Sequence, residues 1–452
     1  MEKLMLLLLP LLASCTGQSQ RKTEPDAADP EATEISKDNG TGTDGATETL
    51  AYFYEAIPGI DIAAQGATAW GYNQSKIVRR GDTIFTYIEE IPANHASPYK
   101  LWLYKKTGSA QWERGAGLDC GRPGNILIDS QGTLHAIVFE PTDITVSDSI
   151  GKVKHYTFAG AGDGNITKSS VETVIDNDGT YESANIRIGA AISSNDRLTF
   201  AFGLGVYEPA LNQTERVYFK DLSDTAWTQR VAGSHLEHDH YYPFVLSDKD
   251  DFHLFAIQDD YREGLPNLYQ FAAYFKFANG SWRSERVVDH TKHRYSVERP
   301  RLVEQDELYL DATGNVHLIY NEDLLPNSPT SVSSFKHLTS NASGGWTTET
   351  IDLTAQDMNW LRIIEIDGVF FYAAASYGRA YIIKAGTNEV AELIALRDKI
   401  SGAYVYVANP KGGTARSEKF VDVLFLSSNG TEDGKASSYY VRIPKSEFAN
   451  FK

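Results

Sequence analysis

His235-Leu236-Glu237-His238-Asp239-His240-Tyr241-Tyr242 packs three imidazoles, two phenols and two carboxylates into eight consecutive residues. An imidazole titrates near neutral pH and can take or return a proton, and a phenol beside it can protonate a leaving oxygen. Add a cation that holds a carboxylate, and the set suits β-elimination at a uronic acid: the clamp acidifies the adjacent C–H, a base removes it, and an acid releases the oxygen. In that chemistry His238 or His240 is the base and Tyr241 or Tyr242 the acid. Arg299, Arg187 or Arg122 is the clamp. No metal is expected as part of the site. Three imidazoles could hold zinc if the loop folds back, but their spacing matches no metallohydrolase pattern. Asp176-Asn177-Asp178-Gly179 suggests calcium yet lacks the spacing and distal glutamate of an EF-hand loop. No cofactor is assigned.

Other side chains with ligand-holding chemistry lie far apart in the chain. Gln74, Arg122, Arg187, Trp360 and Arg362 each stand just before or within the first part of an apolar segment, and Tyr261, Arg262 and Arg379 stand in connecting loops. Guanidinium forks, phenols, amides and aromatic faces together suit sugars and uronates. One arginine alone is ordinarily a surface salt bridge. The set becomes a site only if the fold gathers these segments on one face. His135, His253 and His317 recur at equivalent repeat positions and read instead as structural bonds between strands or blades.

A repeat supplies the gathering. One unit is a polar turn followed by an alternating strand: Arg80-Gly81-Asp82-Thr83, Asp129-Ser130-Gln131-Gly132-Thr133, Asn195-Asp196-Arg197, Asp248-Lys249-Asp250-Asp251, Asp311-Ala312-Thr313-Gly314-Asn315 and Asp367-Gly368. A second is a small-residue turn ending in tryptophan, at Trp112, Trp227, Trp282 and Trp346. Each period of about 55–60 residues therefore holds four strands, A to D. The fold class is all-β, and residues 49–452 read as a single β-propeller of seven four-stranded blades. The seventh blade takes strands from Gly402–Asn409, Phe420–Ser427 and Ser437–Ile443, and Leu50–Ala56 pairs beside it to close the ring. Two separate β-sandwiches are the rival.

The tryptophan turns resemble degenerate Asp boxes, Ser340-Asn341-Ala342-Ser343-Gly344-Gly345-Trp346 most nearly. Residues 49–452 are thus similar to the broad sialidase-like (BNR-repeat) propeller superfamily. That resemblance implies the fold far more than the function. It places the starts of the A strands and the B–C loops on one axial face, and it carries a loose similarity to propeller polysaccharide lyases such as ulvan lyases, which use His, Tyr and Arg there. Sialidase chemistry is not expected. Arg122, Arg187 and Arg299 could form an arginine triad, but no carboxylate is assigned to partner a tyrosine nucleophile.

The chain carries a net charge of −18. Thr16 to Glu48 holds eight acidic and three basic residues, a net of −5. Few aromatics and many Asp, Glu, Gly and Thr make it a disordered acidic tether. The remaining −13 argues against nucleic acid as a partner, since phosphate binding needs a basic footprint. Before the tether, Leu4 to Leu12 is too short to span a bilayer, which takes about 20 residues. Leu12-Ala13-Ser14-Cys15 resembles the lipobox of bacterial lipoproteins. The resemblance implies a signal peptide at residues 1–14, lipidation at Cys15, an acylated Cys15 with its tether at 15–48, and membrane contact through that anchor only. Thr16 after the cysteine points to the outer membrane of the cell envelope. Cys120 is then alone and forms no intramolecular disulfide.

The expected function is a cell-envelope lipoprotein whose propeller face binds a carbohydrate. In the enzymatic reading it also cleaves the carbohydrate, as a polysaccharide lyase or glycoside hydrolase. The alternative is a non-catalytic surface propeller that binds a glycan or a protein of the envelope.

Overall fold

A computed structural model describes residues 50–58, 73–90, 99–121, 123–143, 147–159, 166, 170–177, 188–204, 214–231, 240–248, 250–259, 269–289, 303–322, 334–341, 344–351, 353, 358–376, 378–387, 389–400, 403–427 and 438–451. The strands form seven four-stranded antiparallel sheets. Strand β1 (Phe53–Ala56) belongs to the last of them. Blade 1 is β2 (Ile77–Arg80), β3 (Thr83–Glu90), β4 (Tyr99–Thr107) and β5 (Glu113–Cys120). Blade 2 is β6 (Asn125–Ile128), β7 (Leu134–Asp143), β8 (Ser147–Phe158) and β9 (Ser170–Asn177). Blade 3 is β10 (Gly189–Ile192), β11 (Arg197–Leu204), β12 (Thr214–Asp221) and β13 (Thr228–Val231). Blade 4 is β14 (His240–Asp248), β15 (Asp251–Asp259), β16 (Tyr269–Ala278) and β17 (Ser281–Asp289). Blade 5 is β18 (Val303–Leu310), β19 (Val316–Glu322), β20 (Ser334–Ser340) and β21 (Trp346–Ile351). Blade 6 is β22 (Met358–Ile366), β23 (Val369–Ser376), β24 (Arg379–Lys384) and β25 (Val390–Glu392). Blade 7 joins β26 (Ala403–Val407), β27 (Phe420–Ser427) and β28 (Ser438–Pro444) to β1.

The first strands touch in ring order, β2 to β6, β10, β14, β18, β22, β26 and back to β2, so they surround the axis. Second strands are squeezed between neighbouring blades on both faces. That is why β19 reads Val316-His317-Leu318-Ile319-Tyr320-Asn321-Glu322 and is buried throughout. Fourth strands are the outer edge and turn polar; β21 is Trp346-Thr347-Thr348-Glu349-Thr350-Ile351, with its middle exposed, as a free edge requires. The six polar turns all connect first to second strands, and the four tryptophan turns connect third to fourth. The sequence-derived seventh blade is the one observed, including the N-terminal strand as its outermost member, paired Phe53 to Arg442 and Ala56 to Tyr439.

A buried ionic clasp fastens blade 7 to blade 1. Arg79 of β2 forks onto Asp422 of β27, with Nε on Oδ2 and Nη2 2.7 Å from Oδ1. Tyr440 of β28 donates to the same carboxylate at 2.5 Å. Arg79 Nη1 also donates to the Gly81 carbonyl at 2.7 Å, so most of the guanidinium's donors are used. An apolar seam backs the clasp: Ile77, Ile84 and Tyr104 of blade 1 pack with Tyr406, Leu424 and Tyr440 of blade 7.

The A–B connection of blade 7 runs from Val407 to Phe420 and is the longest of the seven. It contains a single 3₁₀ turn at Pro410–Gly412 and crosses the inner end of the ring. The segment touches the first strands of blades 2 and 3. Gly413 has φ +93°, and a Cβ there would collide with the Ile128 carbonyl oxygen. Only glycine fits both demands. On the far side Arg416 reaches blade 5, donating to the Tyr309 hydroxyl at 2.7 Å and to the Leu310 carbonyl. The crossing thus stoppers the channel at the A–B end.

Candidate axial binding site

Residues on one strand alternate between faces, so i and i+2 share a side. On β22, Arg362 points to the axis, with its guanidinium 5.9 Å from the Phe244 ring of blade 4 and 5.3 Å from the Tyr406 ring of blade 7. Trp360 is therefore on the same side, one layer nearer the strand's start. On β26, Tyr406 faces inward, and Tyr404 sits one layer outward. These outer-layer rings meet: Trp360 and Tyr404 stack with centroids 5.1 Å apart and planes 24° apart. Both are half-buried. An aromatic pair thus stands above the arginine on the axial face where the first strands begin.

Below the pair lies a buried floor of charged side chains. Lys76, just before β2, has its ammonium 4.6 Å from the Tyr406 ring and 5.9 Å from the Tyr87 ring. Lys411, carried in by the crossing segment, pairs with Glu307 of β18 at 2.9 Å and lies 4.7 Å from the Phe244 ring. Arg362 donates to the Asp306 carbonyl and lies 4.0 Å from Glu307. A bulge in β18 between Gln305 and Glu307 shifts the register at this point. Glu89 accepts from Cys120 Sγ at 3.2 Å. Three cations therefore share this floor with the carboxylates of Glu89 and Glu307 and the backbone carbonyl of Asp306, and all six residues are buried.

Desolvation holds the Lys76 ammonium well below the usual lysine range; Glu89 opposes this and Arg362 adds to it. Lys411 is lowered as well, by burial, with Glu307 opposing. The same burial pushes the Cys120 thiol up, reinforced by Glu89, so Cys120 is an inert core residue. Clustered cations beside aromatic faces and carboxylates make a rigid polar base.

The segment leading into β2 closes the remaining gaps. Asn73 Nδ2 donates 2.9 Å to the Pro243 carbonyl of blade 4, and Gln74 Nε2 donates to the Pro123 carbonyl of blade 2. Asn125 links three blades: its Oδ1 accepts from Ser75 N at 3.0 Å and Ala190 N at 3.1 Å, and its Nδ2 donates to Ile188 O at 2.6 Å. The Gln74 side-chain oxygen is buried without a hydrogen-bond partner among the described residues. Strand β14 has a bulge between Tyr241 and Phe244. Tyr242 there has φ +52°, an uncommon conformation for a bulky residue. At the opposite end, a cavity of about 40 Å³ beside the crossing segment, bordered by Tyr309, Glu365, Asn409 and Arg416, has room for roughly three waters.

Of the residues singled out in the sequence, Trp360 and Arg362 lie on the inner strand of blade 6, and Gln74 lies just before the inner strand of blade 1, bonded to blade 2. Tyr242 is buried in the inner wall of blade 4 beside Phe244, where packing rather than solvent surrounds it. Arg379 departs from the axial set. It starts β24, the third strand, and its half-exposed guanidinium turns outward to Glu392 of the fourth strand at 3.9 Å. His240 and Tyr241 open β14, but their side chains are outside the described part. Cys15, Arg122, Arg187, His238, Tyr261, Arg262 and Arg299 lie outside the described residues.

The strand-B histidines sit where the repeat placed them, buried between strands: His135 against His155, His253 against the Tyr274 hydroxyl at 2.6 Å, and His317 against His337. Sequence reasoning missed Lys76, Asp306, Glu307, Tyr404, Tyr406 and Lys411. For Lys411 a signal existed: Asn409-Pro410-Lys411-Gly412-Gly413 interrupts what is elsewhere a tight A–B turn. Among the described residues no group of side chains is arranged to hold a metal ion.

No family model matches the chain, and no curated protein matches it. Among solved structures it is similar to an α-L-arabinanase of Penicillium chrysogenum complexed with arabinobiose, at 11% identity and a TM-score of 0.42, over 71% of this chain and 94% of that one. A second is the β-propeller domain of the trilobed protease of Pyrococcus furiosus, described as having an open velcro topology, at 10% identity and TM-score 0.43, over 81% and 94%. A third is a Trypanosoma rangeli sialidase in complex with the inhibitor DANA, at 8% identity and TM-score 0.41, over 83% of this chain and 55% of that one.

Proposed function

We propose that this protein is a carbohydrate-binding propeller of the bacterial cell envelope, and that the sugar enters the axial face where the first strands begin. The observation that carries the reading is the half-buried Trp360–Tyr404 stack above the buried Arg362. Paired aromatic faces cover the apolar side of a sugar ring, and the polar base beneath offers donors and acceptors for hydroxyls. The buried Gln74 amide oxygen, without a hydrogen-bond partner among the described residues, adds an acceptor that a hydroxyl can satisfy.

Cleavage is the finer proposal. It rests on His238, His240, Tyr241 and Arg299, with β-elimination at a uronic acid as the reaction. One experiment separates the two. The domain from residue 49 is titrated with neutral and uronate-containing oligosaccharides while absorbance near 235 nm is followed. Binding with no rise in absorbance supports a non-catalytic module; a rise supports the lyase; saturable binding to none of them removes the carbohydrate reading.

Envelope anchoring is proposed from the lipobox resemblance at Cys15. Cys15→Ser should move the protein from the detergent phase to the aqueous phase in detergent partition, because the lipid chains supply the membrane affinity. A variant that stays with the detergent contradicts the anchor.

A further inference from the structure

Blades 2 and 5 each carry a chain of hydrogen bonds running from the A–B turn across the blade, and the two differ at one end. In blade 2, Asp129 Oδ2 lies 3.3 Å from His135 Nε2, His135 Nδ1 lies 2.9 Å from His155 Nε2, and His155 Nδ1 lies 2.7 Å from Glu172 Oε1. In blade 5, Asp311 Oδ2 lies 3.1 Å from His317 Nε2 and His317 Nδ1 lies 2.8 Å from His337 Nε2. His337 Nδ1 then lies 2.8 Å from the Tyr372 hydroxyl of blade 6. The ring planes of His135 and His155 are 19° apart with centroids at 5.2 Å. Two imidazoles touching nitrogen to nitrogen in nearly one plane have that separation, so this is an edge-on hydrogen bond.

Counting protons separates the two chains. Each of the three links needs one proton, and two neutral imidazoles bring two. In blade 5 the third comes from Tyr372: its hydroxyl donates to His337, His337 donates to His317, and His317 donates to Asp311. In blade 2 both ends are carboxylates. Asp129 is held below the usual carboxylate range, burial being overcome by His135 and the backbone amides of Gln131 and Thr133. Glu172 is pulled down to about 2 by His155, against burial, with help from Lys220 and Trp227. Two ionised ends only accept. Two neutral rings would then face each other with bare lone pairs at 2.9 Å.

We infer that the His135–His155 pair of blade 2 binds an additional proton and acts as a proton-sensitive link between blades 2 and 3, whereas the His317–His337 pair of blade 5 is neutral and is not. The charged groups facing the pair are Asp129 on the A–B turn, Glu172 on β9 and Lys220 on β12, whose ammonium lies 2.9 Å from Glu172. With the added proton their charges cancel, two negative against two positive. Burial holds the His155 imidazole below its usual range, the Glu172 bond opposing and the neighbouring His135 adding to the lowering; the 2.9 Å nitrogen-to-nitrogen contact is what retains the proton, which therefore belongs to the pair rather than to one ring. Glu172 also accepts from the Trp227 indole of blade 3 at 2.9 Å, and the Trp227 ring meets His155 edge to face at 5.4 Å. Loss of the proton forces the two rings apart and disturbs that seam.

Nitrogen-15 spectra of the histidine rings in the full chain at about pH 6 test this. Three ring N–H protons are expected on His135 and His155 together, and two on His317 and His337. Glu172→Gln should drop the blade 2 count to two, because its amide can donate to His155 as Tyr372 does to His337. Two protons on the wild-type pair, or three retained in the variant, overturns the inference. If Glu172→Gln does not fold, the wild-type count decides alone. The Trp227 indole N–H must then shift in step with the pair as the pH is raised, and an indole signal that stays fixed while the pair titrates also overturns it.

Discussion

Replacing Asp422 with alanine should cost about 3–5 kcal/mol of stability, because it strands a buried guanidinium. Arg79 and Asp422 are both essentially without solvent exposure, at 1% and 0% of their side chains. The carboxylate also receives Tyr440 at 2.5 Å and has Arg442 at 3.7 Å. Removing it leaves the positive groups facing one another at the seam where blade 7 meets blade 1. A propeller has one such seam closed by strands from both chain ends, so opening it exposes the inner faces of both blades. The melting temperature should fall by about 4–6 °C. The double change Arg79→Met with Asp422→Leu should recover most of the loss, since an apolar pair of similar volume commonly matches a buried ion pair. Thermal unfolding of the three proteins checks this. An Asp422→Ala variant within about 1 kcal/mol of wild type would show that the clasp does not fasten the ring.

The second large effect concerns binding. Trp360→Ala should weaken the bound oligosaccharide roughly 30-fold, the factor that corresponds to about 2 kcal/mol for an aromatic anchor. The variant should stay folded with a lowered melting temperature, because the half-buried Trp360 also packs against core residues of the neighbouring blades. Titration calorimetry with the oligosaccharide selected by the binding screen checks both halves. Affinity within threefold of wild type would remove the aromatic pair from the site, whereas loss of folding would recast Trp360 as a core residue.

The fold was legible because its period is local. Polar turns such as Asp367-Gly368, where both residues take positive φ, and alternating segments such as Val369–Ser376 repeat at fixed spacing, and each carries its own steric reason. The closing strand was legible for the same reason: Phe420–Ser427 and Ser438–Pro444 need an outer partner, and Phe53–Ala56 supplies it. The site was legible only in part. Gln74, Trp360 and Arg362 stand at the starts of first strands, so ring geometry alone places them near the axis. Asp306 and Glu307 depend on a bulge in β18 that alternation does not announce. Lys411 depends on a segment that crosses the axis and finds its partner in another blade. Arg379 shows the converse: its loop is on the expected face, yet the third strand aims it outward at Glu392. Position along a strand is readable from sequence, and the direction of a loop side chain is not.

A crystal structure with the selected oligosaccharide bound decides whether a sugar occupies the axial face over Trp360 and Tyr404. A sugar ring should lie against that aromatic pair, with hydroxyls directed toward Gln74 and Arg362 and no ligand at the end stoppered by Lys411. An oligosaccharide bound instead at the A–B end or on the outer edges of the blades would contradict it.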